Sequence, residues 1–182
     1  MAEYYTYVIA SLPMLIFGAK PPFSYEGFLQ LCVGFIPERE RLILAEIPHA
    51  GEHPYGGIHG ALDAWYEFDR DLRNELVKIR AVRKKADPVK YMRLDDGYVE
   101  PYITHIALAA CRNVSVLEAE RTLDQERWNK LEEIAAGHFF DFDFLAVYAF
   151  KLLILLRWEN IRLAEKAALL DKTLKAIEAG RA

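Results

Sequence analysis

The sequence has few of the features that mark secreted, membrane-spanning or disulfide-stabilised proteins. Only two cysteines occur among its 182 residues, Cys32 and Cys111, and each lies in an apolar stretch. This excludes a disulfide framework and favours a reducing compartment. The longest apolar run, residues 144–156, is interrupted by Lys151 and is shorter than the roughly 20 residues that cross a bilayer. We therefore expect a cytoplasmic protein without direct membrane insertion.

Motifs of common catalytic sites are also missing from the sequence. It contains no glycine-rich phosphate loop, no C-x-x-C pair and no G-x-S-x-G nucleophile elbow. A net charge of −4, with 27% charged and 53% hydrophobic residues, is typical of an ordinary globular protein rather than of a basic nucleic-acid-binding one. We predict a protein that is not an enzyme, with no cofactor and no nucleic-acid partner.

Helical periodicity dominates the sequence and predicts one all-α domain over residues 1–182. The expected architecture is a multi-helix bundle with long C-terminal helices. Ser24 and the pair Ser115 and Glu118 have the spacing of helix caps, while Gly137 is placed to end a helix. The apolar residues near the start fit either a short strand or one turn of helix. Helices are predicted over residues 25–35, 37–47, 61–85, 101–112, 116–136 and 143–179.

Apolar residues spaced three and four apart predict which face of each helix points inwards. These inner positions include Leu42, Val82 and Leu117. The segment HFFDFDF, residues 138–144, precedes the last helix, and we expect all four of its phenylalanines to enter the core while Asp141 or Asp143 caps the helix. A proton-transfer pair of His138 and Asp141 is the alternative interpretation.

Residues 49–60, HAGEHPYGGIHG, predict a flexible loop because they contain four glycines and a proline. His49, Glu52 and His53 form the string H-x-x-E-H, which binds zinc in some peptidases when it lies on a helix. The prolines and glycines in and beside this string oppose a helix, so surface-loop histidines are the favoured interpretation. A metal-binding protein or metal-dependent enzyme that uses His49, His53 and His59 is the alternative.

Basic residues are concentrated between residues 70 and 90, where Arg80 and Arg83 stand near the end of a predicted helix. A solvated helix end is the favoured interpretation, since basic residues complement the negative end of the helix dipole. Contact with an acidic protein partner is the next. Apart from Tyr91, few aromatic residues accompany these charges, so a surface that stacks nucleotide bases is poorly supported.

Three segments resemble a short bacterial protein family that is found with V/A-type ATPase genes. That family is in turn similar to the C-type socket subunit of V/A-type ATPases, which is the d-type subunit in eukaryotes. The chain is much shorter than the threefold helical repeat of that socket subunit. The segments that carry the resemblance are YYTYVIASLP near the start, residues 65–83 (WYEFDRDLRNELVKIRAVR) and residues 117–158, which include HFFDFDFLAVYAFKLLILLRW.

The similarity to the socket subunit itself lies in the last quarter of the chain. In the socket subunit a phenylalanine-rich start leads into a helix with a leucine, alanine and tyrosine core, followed by a glutamate, asparagine, isoleucine and arginine stretch. The corresponding residues here are Phe142 and Phe144, then Leu145, Ala146 and Tyr148, then Glu159, Asn160, Ile161 and Arg162.

The resemblance implies an all-α, non-catalytic subunit or assembly adaptor of a rotary ATPase. Such a protein acts through helix surfaces that contact other V/A-type ATPase subunits, and it lies at the inner face of the membrane only through that complex. We expect Arg157, Asn160 and Arg162 to be partly exposed and to form contacts there, together with Arg80 and Arg83 of the basic stretch.

Overall fold

The regular secondary structure in the computed structural model of the protein is entirely helical, in the part of the chain that the model describes. That part comprises residues 5–49, 57, 59–93 and 99–179, the last nine as backbone alone. Within these ranges there is no strand, so the predicted all-α class is confirmed. The helices are α1 (Tyr5–Ser11), α2 (Tyr25–Cys32), α3 (Glu38–Glu46), α4 (Gly60–Lys84), α5 (Pro101–Arg112), α6 (Val116–Ala135) and α7 (Phe142–Ala179).

Side-chain caps fix the starts of three helices. Ser24 accepts a hydrogen bond from the backbone N–H of Gly27 at 3.1 Å, and Ser115 accepts one from Glu118 at 3.4 Å. Asp141 caps α7, because its Oδ1 accepts from the N–H of Phe144 at 2.9 Å. Each bond satisfies a backbone donor that a helix start would otherwise leave unpaired. The capping positions predicted from the sequence are therefore confirmed.

The main bundle consists of α4, α5, α6 and α7, and the short helices α2 and α3 pack against α7. Each of the four bundle helices contributes buried apolar side chains, so one core runs through the bundle. The part of α7 between residues 145 and 150 is buried on every side, as expected of a helix at the centre of a core. The largest fully buried apolar side chains are Phe28, Leu44, Leu62, Leu72, Leu123, Leu131, Leu145, Leu152 and Leu155.

The second half of α7 leaves this core. Residues 163–170 are all exposed, and the helix backbone continues to Ala179. At about 1.5 Å per residue, the helix extends for about 25 Å beyond Arg162. No described helix combines the length and apolarity that a bilayer span requires.

The first segment forms helix α1, the helical one of the two alternatives that the sequence left open. Three burial predictions need correction. Leu42, Val82 and Leu117 are exposed although their spacing places them on inner faces. Val82 lies in the last turn of α4 and Leu117 in the first turn of α6, and at both positions the side chain is left uncovered. Spacing alone does not indicate where a neighbouring helix stops.

The four phenylalanines around the start of α7 divide into two pairs. Phe142 is buried and Phe144 is half-buried against the core, as predicted, but Phe139 and Phe140 are exposed. Gly137 has a φ of +93°, which turns the chain sharply after α6, as its position predicted. The two exposed phenylalanines lie in the bend between that turn and α7, so the prediction that they enter the core is wrong.

Two leucines on α6 provide a test of this core. We expect Leu131→Ala to lower the free energy of unfolding by about 3 kcal/mol, because Leu131 is fully buried and its removal leaves a cavity. Leu117→Ala on the same helix should change it by less than about 0.5 kcal/mol. Urea unfolding followed by circular dichroism measures both. Equal losses in the two variants would contradict the placement of α6.

Candidate functional site

Asp124 on α6 is the centre of a buried polar cluster. Its side chain is only 1% exposed, and it accepts hydrogen bonds from three donors. Arg127 Nη1 donates to Oδ1 at 2.9 Å, Trp158 Nε1 donates to Oδ2 at 2.9 Å, and Arg157 Nη1 lies 3.1 and 3.0 Å from the two oxygens. Since Arg157 and Trp158 belong to α7, the carboxylate joins α6 to α7.

The same cluster reaches α4 through Arg127. Its Nε donates to Asp69 Oδ1 at 3.1 Å, and Asp69 Oδ2 also pairs with Arg73 at 2.6 Å. At the other end, Arg157 Nη2 donates to Glu120 at 2.7 Å. Burial lowers the pKa of Arg127, but the neighbouring carboxylates Asp69 and Asp124 outweigh it, so the net pKa is raised. We call these three arginines and three carboxylates the charge network, and their charges balance. Its members are Arg73, Arg127, Arg157, Asp69, Asp124 and Glu120.

A cleft of about 420 Å³ lies beside this charge network. Its walls combine the network residues with Trp65, Tyr66 and Phe150. The arginines and carboxylates in the cleft are paired with one another, and these pairs connect α4, α6 and α7.

A second group of titratable residues lies where α4 and α7 begin. His59 Nδ1 is 3.8 Å from Asp143 Oδ1, and the His59 ring packs 4.0 Å from the ring of Phe142. His138 Nδ1 is 2.7 Å from Asp141 Oδ2, and its Nε2 is 3.9 Å from Asp143 Oδ2. Asp143 therefore lies between two imidazoles that are far apart in the sequence.

The surroundings of this histidine cluster shift its two imidazoles in opposite directions. The hydrogen bond with Asp141 raises the pKa of His138, and the charges of Asp141 and Asp143 add to that effect. Burial lowers the pKa of His59, and this outweighs the opposite influence of Asp143. A cavity of about 290 Å³ adjoins the cluster, with Tyr5 donating a hydrogen bond to Glu40 in its wall.

Two of the three histidines of the alternative metal-site interpretation lie within the described residues. His49 is exposed at the end of a short 3₁₀ turn, Ile47–His49. His59 is half-buried and faces Asp143, and His53 lies outside the described residues. Over the described ranges, no group of three or more histidine, cysteine or carboxylate side chains is arranged to hold a metal ion. Metal binding by His49, His53 and His59 stays the alternative interpretation, beside the favoured one of surface-loop histidines.

The predicted contact residues lie on two helices. Arg80 is exposed near the end of α4, while Arg83 Nη2 donates to the carbonyl of Cys111 at 2.7 Å and so ties α4 to α5. On α7, Asn160 is exposed. Arg162 is partly exposed and pairs with Glu159 at 2.8 Å. Arg157 is also partly exposed, yet its guanidinium belongs to the charge network.

Sequence reasoning missed the central residue of the network. Asp124 lies four residues before Trp128 and seven before Leu131, so it stands on the buried face of α6. A carboxylate within an apolar stripe is the signal that could have marked it, because buried charges are paired. Comparison with protein-family models, with curated proteins and with solved structures finds no match for this chain.

Removing the charge of Asp124 tests the network. We expect Asp124→Asn to lower the free energy of unfolding by about 3 kcal/mol, because Arg127 and Arg157 would lose their shared buried counter-charge. Glu133→Gln is the control, since Glu133 pairs with Lys130 at the surface and should matter by at most about 1 kcal/mol. Chemical denaturation measures both. A loss in Asp124→Asn no larger than in the control would contradict a bracing role.

The pair of His138 and Asp141 should make stability depend on pH. Because the folded pKa of His138 is raised above 6.5, the pair stabilises the fold fully below pH 6.5 and loses this effect as pH rises through the raised pKa. Wild type should therefore exceed His138→Gln in melting temperature at pH 6, with a smaller difference at pH 9. His59 is present in both proteins, so its opposite contribution cancels. A difference that is independent of pH would contradict the pairing.

Proposed function

We propose that this chain is a non-catalytic helical adaptor of a V/A-type rotary ATPase, acting through contacts between its helix surfaces and other ATPase subunits. The observation that carries the proposal is the charge network centred on Asp124, which connects α4, α6 and α7. An adaptor between moving parts must keep its shape under load. Hydrogen bonds between charged groups form only in a defined geometry, so bonds of this kind between helices hold the helices in fixed positions.

The resemblance of residues 65–83 and 117–158 to the ATPase-associated family supports the same role. Those two ranges contain the Asp69, Asp124 and Arg157 members of the network. The segments that suggested the family are thus largely the segments that brace the bundle. The proposal therefore takes its support from this resemblance and from the network that the same residues form.

The exposed part of α7 offers a contact arm for such a partner. Leu163 and Leu170 are exposed and lie seven residues apart, which places them on one side of the helix. A partner protein that packs along this arm would cover apolar side chains that now contact water. In a rotary complex, the protein would then lie at the inner face of the membrane without entering it.

A pull-down from the native cell tests the proposed adaptor role. Tagged wild-type protein should retain V/A-type ATPase subunits after gentle lysis, and the double variant Leu163→Glu with Leu170→Glu should retain much less, because charges on the arm oppose apolar packing. Leu117→Glu is the matched control, an exposed leucine on another helix, and should behave like wild type.

Melting temperatures within about 2 °C of wild type would show that the arm variants remain folded. Mass spectrometry identifies the retained proteins. If wild-type protein retains no ATPase subunit, the adaptor proposal is wrong. If the arm variants retain as much as wild type, the adaptor makes its contacts elsewhere and the arm is not the contact surface.

A further inference from the structure

Positive charge is concentrated at one end of the bundle. Residues 76–93 cover the end of α4 and the connection after it, and they contain seven basic residues and one acidic residue. Since the whole chain has a net charge of −4, the rest of it carries a net charge of −10. We define the basic end as Arg80, Lys84, Lys85 and Lys90, all of them exposed.

Lys85 has a backbone conformation that glycine normally supplies. It follows the last residue of α4 with φ 51° and ψ 39°, and it is the one non-glycine with positive φ in the described part of the chain. The N–H of Lys85 donates to the Val82 carbonyl at 3.3 Å, and that of Ala86 donates to the Ala81 carbonyl at 3.0 Å. This pair of bonds is the usual helix-ending motif with glycine at the left-handed position.

A lysine at that position has a conformational cost that glycine would avoid, because its Cβ crowds the backbone. Complementing the helix dipole does not account for it, since Arg83 and Lys84 already place positive charge in the last turn. Strained residues concentrate at functional sites, where another requirement outweighs the local cost. Here that requirement would be a positive charge at the end of α4, which Lys85 supplies and glycine would not.

Apolar side chains lie among these charges. Val82, Val89 and Tyr91 are each about two thirds exposed or more. If this helix end served only to be solvated, exposed valines would add nothing to its stability or solubility. A surface that combines them with lysines can bind a partner that presents carboxylates beside apolar groups.

The connection that carries Val89 and Tyr91 is held in place by buried and capping contacts. Asn74, which is 1% exposed, donates to the Arg93 carbonyl at 3.3 Å and accepts from the Arg93 N–H at 2.9 Å. Asp87 accepts from the Val89 N–H at 3.0 Å and caps the 3₁₀ turn Pro88–Lys90. The surface is therefore ordered before a partner arrives, which lowers the entropy cost of binding.

We infer that the basic end is a docking surface for an acidic protein segment with an apolar side, such as an amphipathic helix rich in glutamate. This inference rests on the proposed function in one respect, which is that the partner is a protein. A nucleic acid is disfavoured because Tyr91 is the one exposed aromatic ring among these residues. A membrane surface is disfavoured because the apolar residues are valines, without the tryptophan, phenylalanine or leucine that insert into lipid.

Two synthetic peptides test this inference on the full-length protein. Both peptides are helical, have 20 residues and contain the same number of glutamates. On the apolar face of the helix, one peptide carries leucine and the other carries alanine. We expect the glutamate and leucine peptide to bind more tightly in fluorescence anisotropy, and its binding to weaken as salt is added. A 20-nucleotide single strand and vesicles with 30% phosphatidylglycerol are the competing probes, and each should bind more weakly.

Variants locate the binding. Replacing Arg80, Lys84, Lys85 and Lys90 together by glutamine should weaken peptide binding at least about tenfold. Lys85→Gly should weaken it about threefold and yet raise the melting temperature by about 2 °C, because it relieves the left-handed lysine. Lys166→Gln, which removes a charge from exposed α7, is the control and should leave binding unchanged.

The outcomes separate this inference from the adaptor proposal. Peptide binding that survives the quadruple variant, or no peptide binding at all, overturns the docking surface. Tighter binding of the oligonucleotide or the vesicles overturns it in favour of that ligand. A lower melting temperature for Lys85→Gly removes the strain argument on which the inference depends. Peptide binding that follows these expectations, with no ATPase subunit retained from cells, leaves the surface standing and overturns only the adaptor.

Discussion

The structure depends on neutralising one carboxylate that is almost completely removed from water. An ionised Asp124 would be very costly at its place in α6 without partners. Arg127, Arg157 and Trp158 supply them, and Arg127 reaches on to Asp69 of α4. Apolar packing tolerates small shifts between helices, whereas a guanidinium must align its N–H groups with its acceptor. We interpret burial of leucines as the main source of stability and the network as what fixes helix alignment.

The existence of the helices could be predicted from the sequence, because local signals determine them. Ser24 and Ser115 are caps in the structure, and Gly137 turns the chain after α6. The burial of individual residues could be predicted less well. Val82 and Leu117 carry the spacing of inner positions, yet each lies in a terminal turn without a neighbour to cover it. That outcome depends on the lengths and crossing of other helices.

The candidate sites were harder to predict, because their members are far apart in the chain. His59 and His138 approach the same Asp143 only because the first turns of α4 and α7 lie together. The sequence grouped His59 with its near neighbours in the histidine-rich loop instead. Asp124 carried a local signal on the stripe of Trp128 and Leu131, but nothing in the sequence indicates that Arg157 is its partner on α7.

Because α7 is one uninterrupted helix, its buried and exposed parts are mechanically connected. Its first half is enclosed by the bundle, while residues 163–170 emerge from it and are exposed. The sequence has no glycine or proline between Phe142 and Ala179 to act as a hinge. The helix is therefore anchored in the hydrophobic core at one end and can act as a rigid lever. A sideways force on the exposed residues 163–170 would be transmitted along the helix to Arg157 and Trp158, whose side chains donate hydrogen bonds to Asp124 of α6.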